Sequence, residues 1–161
     1  MASYATTLTA TYISPLTDVE RINGYNKKFV IPYTFVAQAS ATTATDVVTV
    51  TLGNTPALWM IDNARAVVTT AFSGTTALNL TVGTTSSTAA IIASTSVLTV
   101  AAIGMASGVP VLTNCTGTSA LSLVATFTNA TGGSPSAVTA GSVTLLLNVQ
   151  DQSEATFVPN V

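Results

Sequence analysis

The stretch ALNLTVG, Ala77–Gly83, decides the fold. Leu78, Leu80 and Val82 fall on one side of an extended chain, with Asn79 and Thr81 on the other. A period of two is the pattern of a strand with one buried face. The same alternation returns in ALSLVATFT, Ala120–Thr128, which turns Leu121, Leu123, Ala125 and Phe127 inward. It returns again in GSVTLLLNV, Gly141–Val149, with Val143, Leu145, Leu147 and Val149 on one face. The loop NATGGSPS, Asn129–Ser136, lies between these last two, with glycines for positive φ and a proline. Sequence adjacency predicts that they form a hairpin.

Upstream the chain reads the same way. FVIPYTFV, Phe29–Val36, is β-rich, and its Pro32 suits an edge or a bulge. DVVTVTL, Asp46–Leu52, alternates and then meets GNTP, a turn signal. LWMID, Leu58–Asp62, and ARAVVTTAF, Ala64–Phe72, read as two further strands, the second ending at Ser73-Gly74. Trp59 is expected in the core. Helix signals are weak, because β-branched Thr and Val are stiff at χ1 and favour pleated structure. Only TAAIIASTS, Thr88–Ser96, is conceivable as a short helix or turn. Short strands with turn signals about every 8–12 residues predict an all-β fold, an antiparallel β-sandwich or jelly roll.

The chain has 161 residues, enough to bury a core as one domain. Three zones divide it: an extended N-terminal arm over 1–28, a β-sandwich domain over 29–150, and a C-terminal tail over 151–161. No charged residue lies between Arg65 and Asp151. Charged residues are 6% of the chain, where about 25% is usual. Threonine, at 31 residues, takes much of their place. A threonine facing outward on a strand is polar enough to be wetted and branched enough to pack. Such sheets carry little charge to guard them against association, which suits a protein held in a large assembly.

Composition also excludes. Four basic residues cannot neutralise many phosphates, so nucleic acid is not an expected partner. A net charge of −2 steers no partner over long range. Mean hydropathy is +0.58, yet no run approaches the roughly 18 apolar residues of a membrane helix. All four tyrosines lie in the first 33 residues, which does not suit the two aromatic girdles of a membrane barrel. The N-terminus lacks the basic and apolar regions of a secretory signal, and Cys115 is the single cysteine, so synthesis in a reducing cytoplasm is expected. Cys115 reads as a small inert residue. The three Asn-X-Thr sequons at Asn79, Asn114 and Asn129 carry no weight in so threonine-rich a chain.

Catalysis finds few materials. There is no histidine, so Ser–His–Asp and Cys–His arrangements are out. One cysteine and scattered acids do not supply a zinc set. Asp18 and Glu20 sit beside Arg21 and read as a solvated face; Asp46 opens a strand and Asp62 precedes a turn. No enzyme, cofactor or metal is expected. Binding residues are expected in the arm, where Tyr4, Tyr12, Arg21, Tyr25, Lys27 and Lys28 combine aromatic area with polar handles. In the tail, Phe157, followed by Pro159, is the candidate contact.

From ARAVVTTAFSGTTALNLTVGTT (64–85) through LSLVATFTNATGGSPSAVTAGSVTLLLNV (121–149), the chain resembles the capsid decoration, or cement, proteins of tailed bacteriophages. The pattern is an alternating strand ending in Val82-Gly83, a long Thr/Ser/Ala segment, and a final strand TAGSVTLLLNV. The resemblance implies a virion protein, made in the host cytoplasm, that binds the outside of an expanded shell. It implies the major capsid protein as partner and self-association, a homotrimer more than a homodimer. A tail, spike or head-fibre component that contacts the host is the alternative reading. An ice-binding or adhesion module is a more distant one.

Overall fold

A computed structural model describes residues 2–7, 15–55, 59–104, 121–129 and 133–151. Nine strands run in chain order: β1 (Ser3–Thr7), β2 (Lys27–Pro32), β3 (Val47–Thr55), β4 (Trp59–Ser73), β5 (Asn79–Thr84), β6 (Ser87–Ser96), β7 (Ala102–Gly104), β8 (Leu121–Thr128) and β9 (Ala140–Asp151). One short helix, α1 (Asp18–Ile22), precedes β2. The strands form two sheets, β1-β3-β8-β5-β6 and β2-β9-β4-β7. The molecule is an all-β sandwich.

The topology follows from one idea. β2 pairs with β9, β3 with β8, β4 with β7 and β5 with β6, each pair antiparallel. These pairs nest, so β2 to β9 are one long ribbon folded back on itself at the β5–β6 turn. Successive pairs lie in alternate sheets. Rolling the ribbon brings β9 against β4 and β8 against β5, again antiparallel. This is the jelly-roll arrangement. β1 is an addition: it lies parallel to β3 at the sheet edge.

The alternation read from the sequence supplies the core. Leu80, Val82, Leu123, Ala125 and Phe127 from one sheet meet Ile31, Val68, Val143, Leu145 and Leu147 from the other. All of these but Leu123 are completely buried. On the outer face of the five-stranded sheet Thr126 of β8 lies in register with Thr49 of β3 and Thr81 of β5, but this row is not the wetted surface expected: Thr49 and Thr81 are half-buried, and Thr126 and its neighbour Val124 are buried.

Several expectations need correcting. β8 and β9 form no hairpin; they lie in opposite sheets. Both edges of β8 are taken by β3 and β5, and both edges of β9 by β2 and β4, so neither has one free for the other. The loop between them crosses from sheet to sheet, through a 3-10 turn at Pro135–Ala137. Thr88–Ser96 is not helical but part of β6, with Ile91 and Ile92 in the core. The two short strands expected around Asp62 are one 15-residue strand, β4. Asp62 sits inside it at a register shift, not before a turn. β3 likewise runs through Gly53 to Thr55 by means of a bulge. Pro32 closes β2, an edge strand, as its missing N–H requires. Trp59 opens β4 opposite Asp151 in the β9 register, and its side chain lies outside what the structure describes. Tyr12, Cys115, Phe157 and Pro159 also lie outside the described residues.

The boundary of the arm moves as well. Lys27 and Lys28 belong to β2, and Ser3–Thr7 edges the five-stranded sheet. An alternating segment next to an open sheet edge gains ladder hydrogen bonds by joining it. The described ends of residues 1–28 are therefore built into the sandwich.

Candidate functional site

Helix α1 is only five residues long and none of its residues is buried. A free helix of this length does not persist in water. Both of its ends are nonetheless closed by specific bonds. Thr17 caps the N-terminus: its Oγ1 accepts from the Glu20 N–H at 3.3 Å, and Glu20 Oε2 accepts from the Thr17 N–H at 2.7 Å. This reciprocal pair is a capping box. At the C-terminus the Gly24 N–H donates to the Arg21 carbonyl and the Tyr25 N–H to the Glu20 carbonyl. That double bond pattern is a Schellman motif, and it needs the left-handed φ of +83° that Gly24 adopts.

The capped turn is tied to the sandwich from two sides. Lys28 of β2 donates to Glu20 Oε1 at 2.9 Å, with both side chains less than one-fifth exposed. Asn26 binds the β9 backbone in both directions, donating from Nδ2 to the Val149 carbonyl and accepting the Val149 N–H on Oδ1. The result is a rigid projection beside the edge of the four-stranded sheet. It presents Val19 at 67% and Ile22 at 83% exposure. They lie three residues apart, on adjoining turns of one face. Among the described residues only one other large apolar side chain, Val100, is this exposed.

The expected binding residues separate into two groups. Arg21 is exposed on α1 between Val19 and Ile22; its 4.0 Å approach to Asp18 is in open solvent and contributes little. Tyr25 is half-buried directly after the helix, and Lys27 is exposed at the start of β2. These three belong to the projection. Lys28 is committed to Glu20, and Tyr4 packs against the core from β1. Those two hold structure. Val19 and Ile22 were not singled out by residue type, although TDVERING, Thr17–Gly24, carries the signal: a capping box followed by a C-terminal glycine.

A second clamp secures the N-terminal strand. Asp46, almost fully buried ahead of β3, accepts from the Ala2 N–H at 3.1 Å and the Thr43 N–H at 3.0 Å. The backbone N–H of Thr43 is the main cause that holds the Asp46 carboxyl below its ordinary range. Glu20 is lowered too, first by the Thr17 N–H and then by Lys28. Both groups bind protons less readily folded than unfolded. Their contributions are therefore present at neutral pH and are lost as pH falls through the lowered values. We expect acid to loosen residues 2–7 and 17–28 before the core, beginning below about pH 4. Amide exchange at pH 7 and at about pH 3 checks this: protection should fall at Val47, Gly24 and Tyr25 while that of β8 persists. Equal loss at all sites would refute it.

Among the described residues no group of three or more His, Cys, Asp or Glu comes together, and no helix is long and apolar enough to cross a membrane. Comparison with known proteins adds no identity: no family model, curated protein or solved structure matches the chain.

Proposed function

We propose that the protein is a virion structural protein that binds the outer surface of a tailed-phage capsid and stabilises the shell by bridging major capsid proteins. The observation that carries this reading is helix α1, which adds no apolar side chain to the core, is closed at both ends, and holds Val19 and Ile22 out in solvent on the same turn as Arg21. Order maintained without any core contribution has its use at a contact. Two exposed apolar side chains on one face, with an exposed arginine on the same short helix, are a suitable anchor for a protein surface. The jelly roll supports the reading by analogy, since viral shells use this fold widely, and so do lectins and cupins. The charge-poor sandwich supports it physically, because an assembly component needs shape and hydroxyl contacts more than titrating groups.

The mechanism is mass action. A molecule that binds the assembled lattice and not its free subunits shifts the equilibrium toward the lattice. Many copies, each with modest contacts, add through effective concentration.

The test is occupancy on bare capsids, counted by electron cryomicroscopy over a protein titration. Wild type should saturate discrete sites. The double variant Val19→Ser with Ile22→Ser should bind at least about tenfold more weakly, as expected for loss of an interface anchor, with its melting temperature nearly unchanged. Unchanged affinity of the variant would remove α1 from the contact. Failure of wild type to bind shells would remove the function itself.

A further inference from the structure

Among the described residues, four strands form the edges of the two sheets: β1, β6, β2 and β7. Natural edges are normally blunted against pairing by charge, proline, bulges or short length. Three of these four are. β2 carries Lys27, Lys28 and Pro32. β6 is broken by two register shifts against β5. β7 has three residues. β1, with the sequence SYATT, has no charge and no proline, and its five residues keep unbroken register with β3.

We infer that β1 is a self-association edge, and that two copies of this chain join through antiparallel pairing of β1 with β1 about a twofold axis at Ala5. The direction of the backbone groups supports this register. Ala2 donates its N–H to Asp46 and accepts the Val47 N–H on its carbonyl, so both of its groups point toward β3. Backbone direction alternates along a strand, so Tyr4 and Thr6 also bond toward β3, while Ser3, Ala5 and Thr7 direct N–H and C=O away from it. In the twofold arrangement Ala5 faces Ala5 of the second copy, and Ser3 faces Thr7 on either side. Each is a hydrogen-bonded pair. Tyr4 then lies opposite Thr6, an aromatic and β-branched pairing that favours a sheet.

Charge selects the second copy as the occupant. The residues that direct their backbone groups outward, Ser3, Ala5 and Thr7, are placed symmetrically about the axis, so the two copies satisfy one another, and β1 has no charged residue to set like charges against each other across it. β2 lacks this neutrality, since Lys27 and Lys28 would bring four like charges into a pairing of two copies, and its Pro32 has no N–H for the ladder. The contact continues the five-stranded sheet across both molecules and yields a twofold dimer in place of the trimer that the resemblance implies. It uses no surface of α1, so it stands or falls separately from capsid binding.

Two experiments on the full chain test it. Light scattering on the purified protein should give a dimer, and Ala5→Lys, which sets two ammonium groups on the axis, should give a monomer with the same circular dichroism and melting temperature. Facing Cα atoms in a hydrogen-bonded pair lie about 5.5 Å apart, within disulfide reach. With Cys115→Ser as background, Ala5→Cys should therefore oxidise to a covalent dimer, whereas Ser40→Cys, in an exposed loop, should remain monomeric. A monomeric wild type overturns the inference. So does an oligomer of any size that survives Ala5→Lys and does not cross-link through Ala5→Cys.

Discussion

Phe127→Ala will lower stability by about 3–5 kcal/mol, the range for removing a buried aromatic ring, and the melting temperature by on the order of 10 °C. Phe127 is completely buried, one residue before the end of β8. Its ring lies 5.8 Å from that of Phe72, tilted by 43°, an arrangement that adds favourable ring contact to the area buried. The backbone of β8 is held on both sides, opposite Val48 of β3 and Leu80 of β5. It cannot sink to fill the space, so most of the cavity will remain. Chemical denaturation should show a lower midpoint with an unchanged slope, since the surface exposed on unfolding barely changes. Thr128→Ala, one residue on and facing outward, should stay within about 0.5 kcal/mol of wild type. A loss below about 1 kcal/mol at Phe127 would mean that the two sheets are not packed as described.

This residue shows what the sequence makes legible. Phe127 is inward by alternation, and alternation survives because one face of each strand is dry and the other wet. The same reasoning correctly placed Leu80, Val82, Val143, Leu145 and Leu147. Partnership is another matter. Alternation says which way a side chain points and nothing about which strand lies beside it. β8 and β9 look like a hairpin because a glycine-rich loop joins them, yet each already has two neighbours. Only the nested pairing of the whole ribbon excludes it, and that pairing joins residues as distant as Lys27 and Leu147. β4 was divided in two for a related reason. Its bulges at Asp62 and Thr69 interrupt the period without ending the strand.

The candidate site was legible by region and less so by residue. Aromatic and basic side chains pointed to residues 1–28, but Lys28 and Tyr4 proved to hold the structure together. An ion pair such as Lys28 with Glu20 depends on a strand and a helix meeting in space, and composition carries no trace of that meeting. The exposure of Val19 and Ile22 was hidden for the opposite reason. Apolar residues are assigned inward by default, and the local signals that place them on a free-standing capped turn are hydrogen-bonding residues flanking them, Thr17, Glu20 and Gly24.

Gly83→Ala should be a severely damaging single-methyl addition. Gly83 lies in β5 beside Val124 of β8, at the end of the alternating stretch that decides the fold. Its φ lies outside the left-handed region, so conformational freedom is not the reason for glycine. The reason is space. A Cβ there would stand 2.1 Å from the Ser87 carbonyl oxygen and 2.6 Å from the carbonyl carbon of Thr88. Both are backbone atoms of β6, where the register with β5 jumps from Val82–Ile92 to Thr84–Ser87. No rotamer change relieves a clash with backbone, so the β5–β6 turn must move. That turn is the tip at which the long ribbon folds back, and displacing it disturbs the pairing of both strands. The expected loss is about 3 kcal/mol or more, at or above the upper end for overpacking. Gly53→Ala provides the contrast in space, because nothing lies within 4 Å of a Cβ there, although its φ of +150° adds some strain. Thermal melts of the two variants should therefore separate clearly, with Gly83→Ala the lower. Equal melting temperatures would show that close backbone approach at the ribbon tip does not limit this fold.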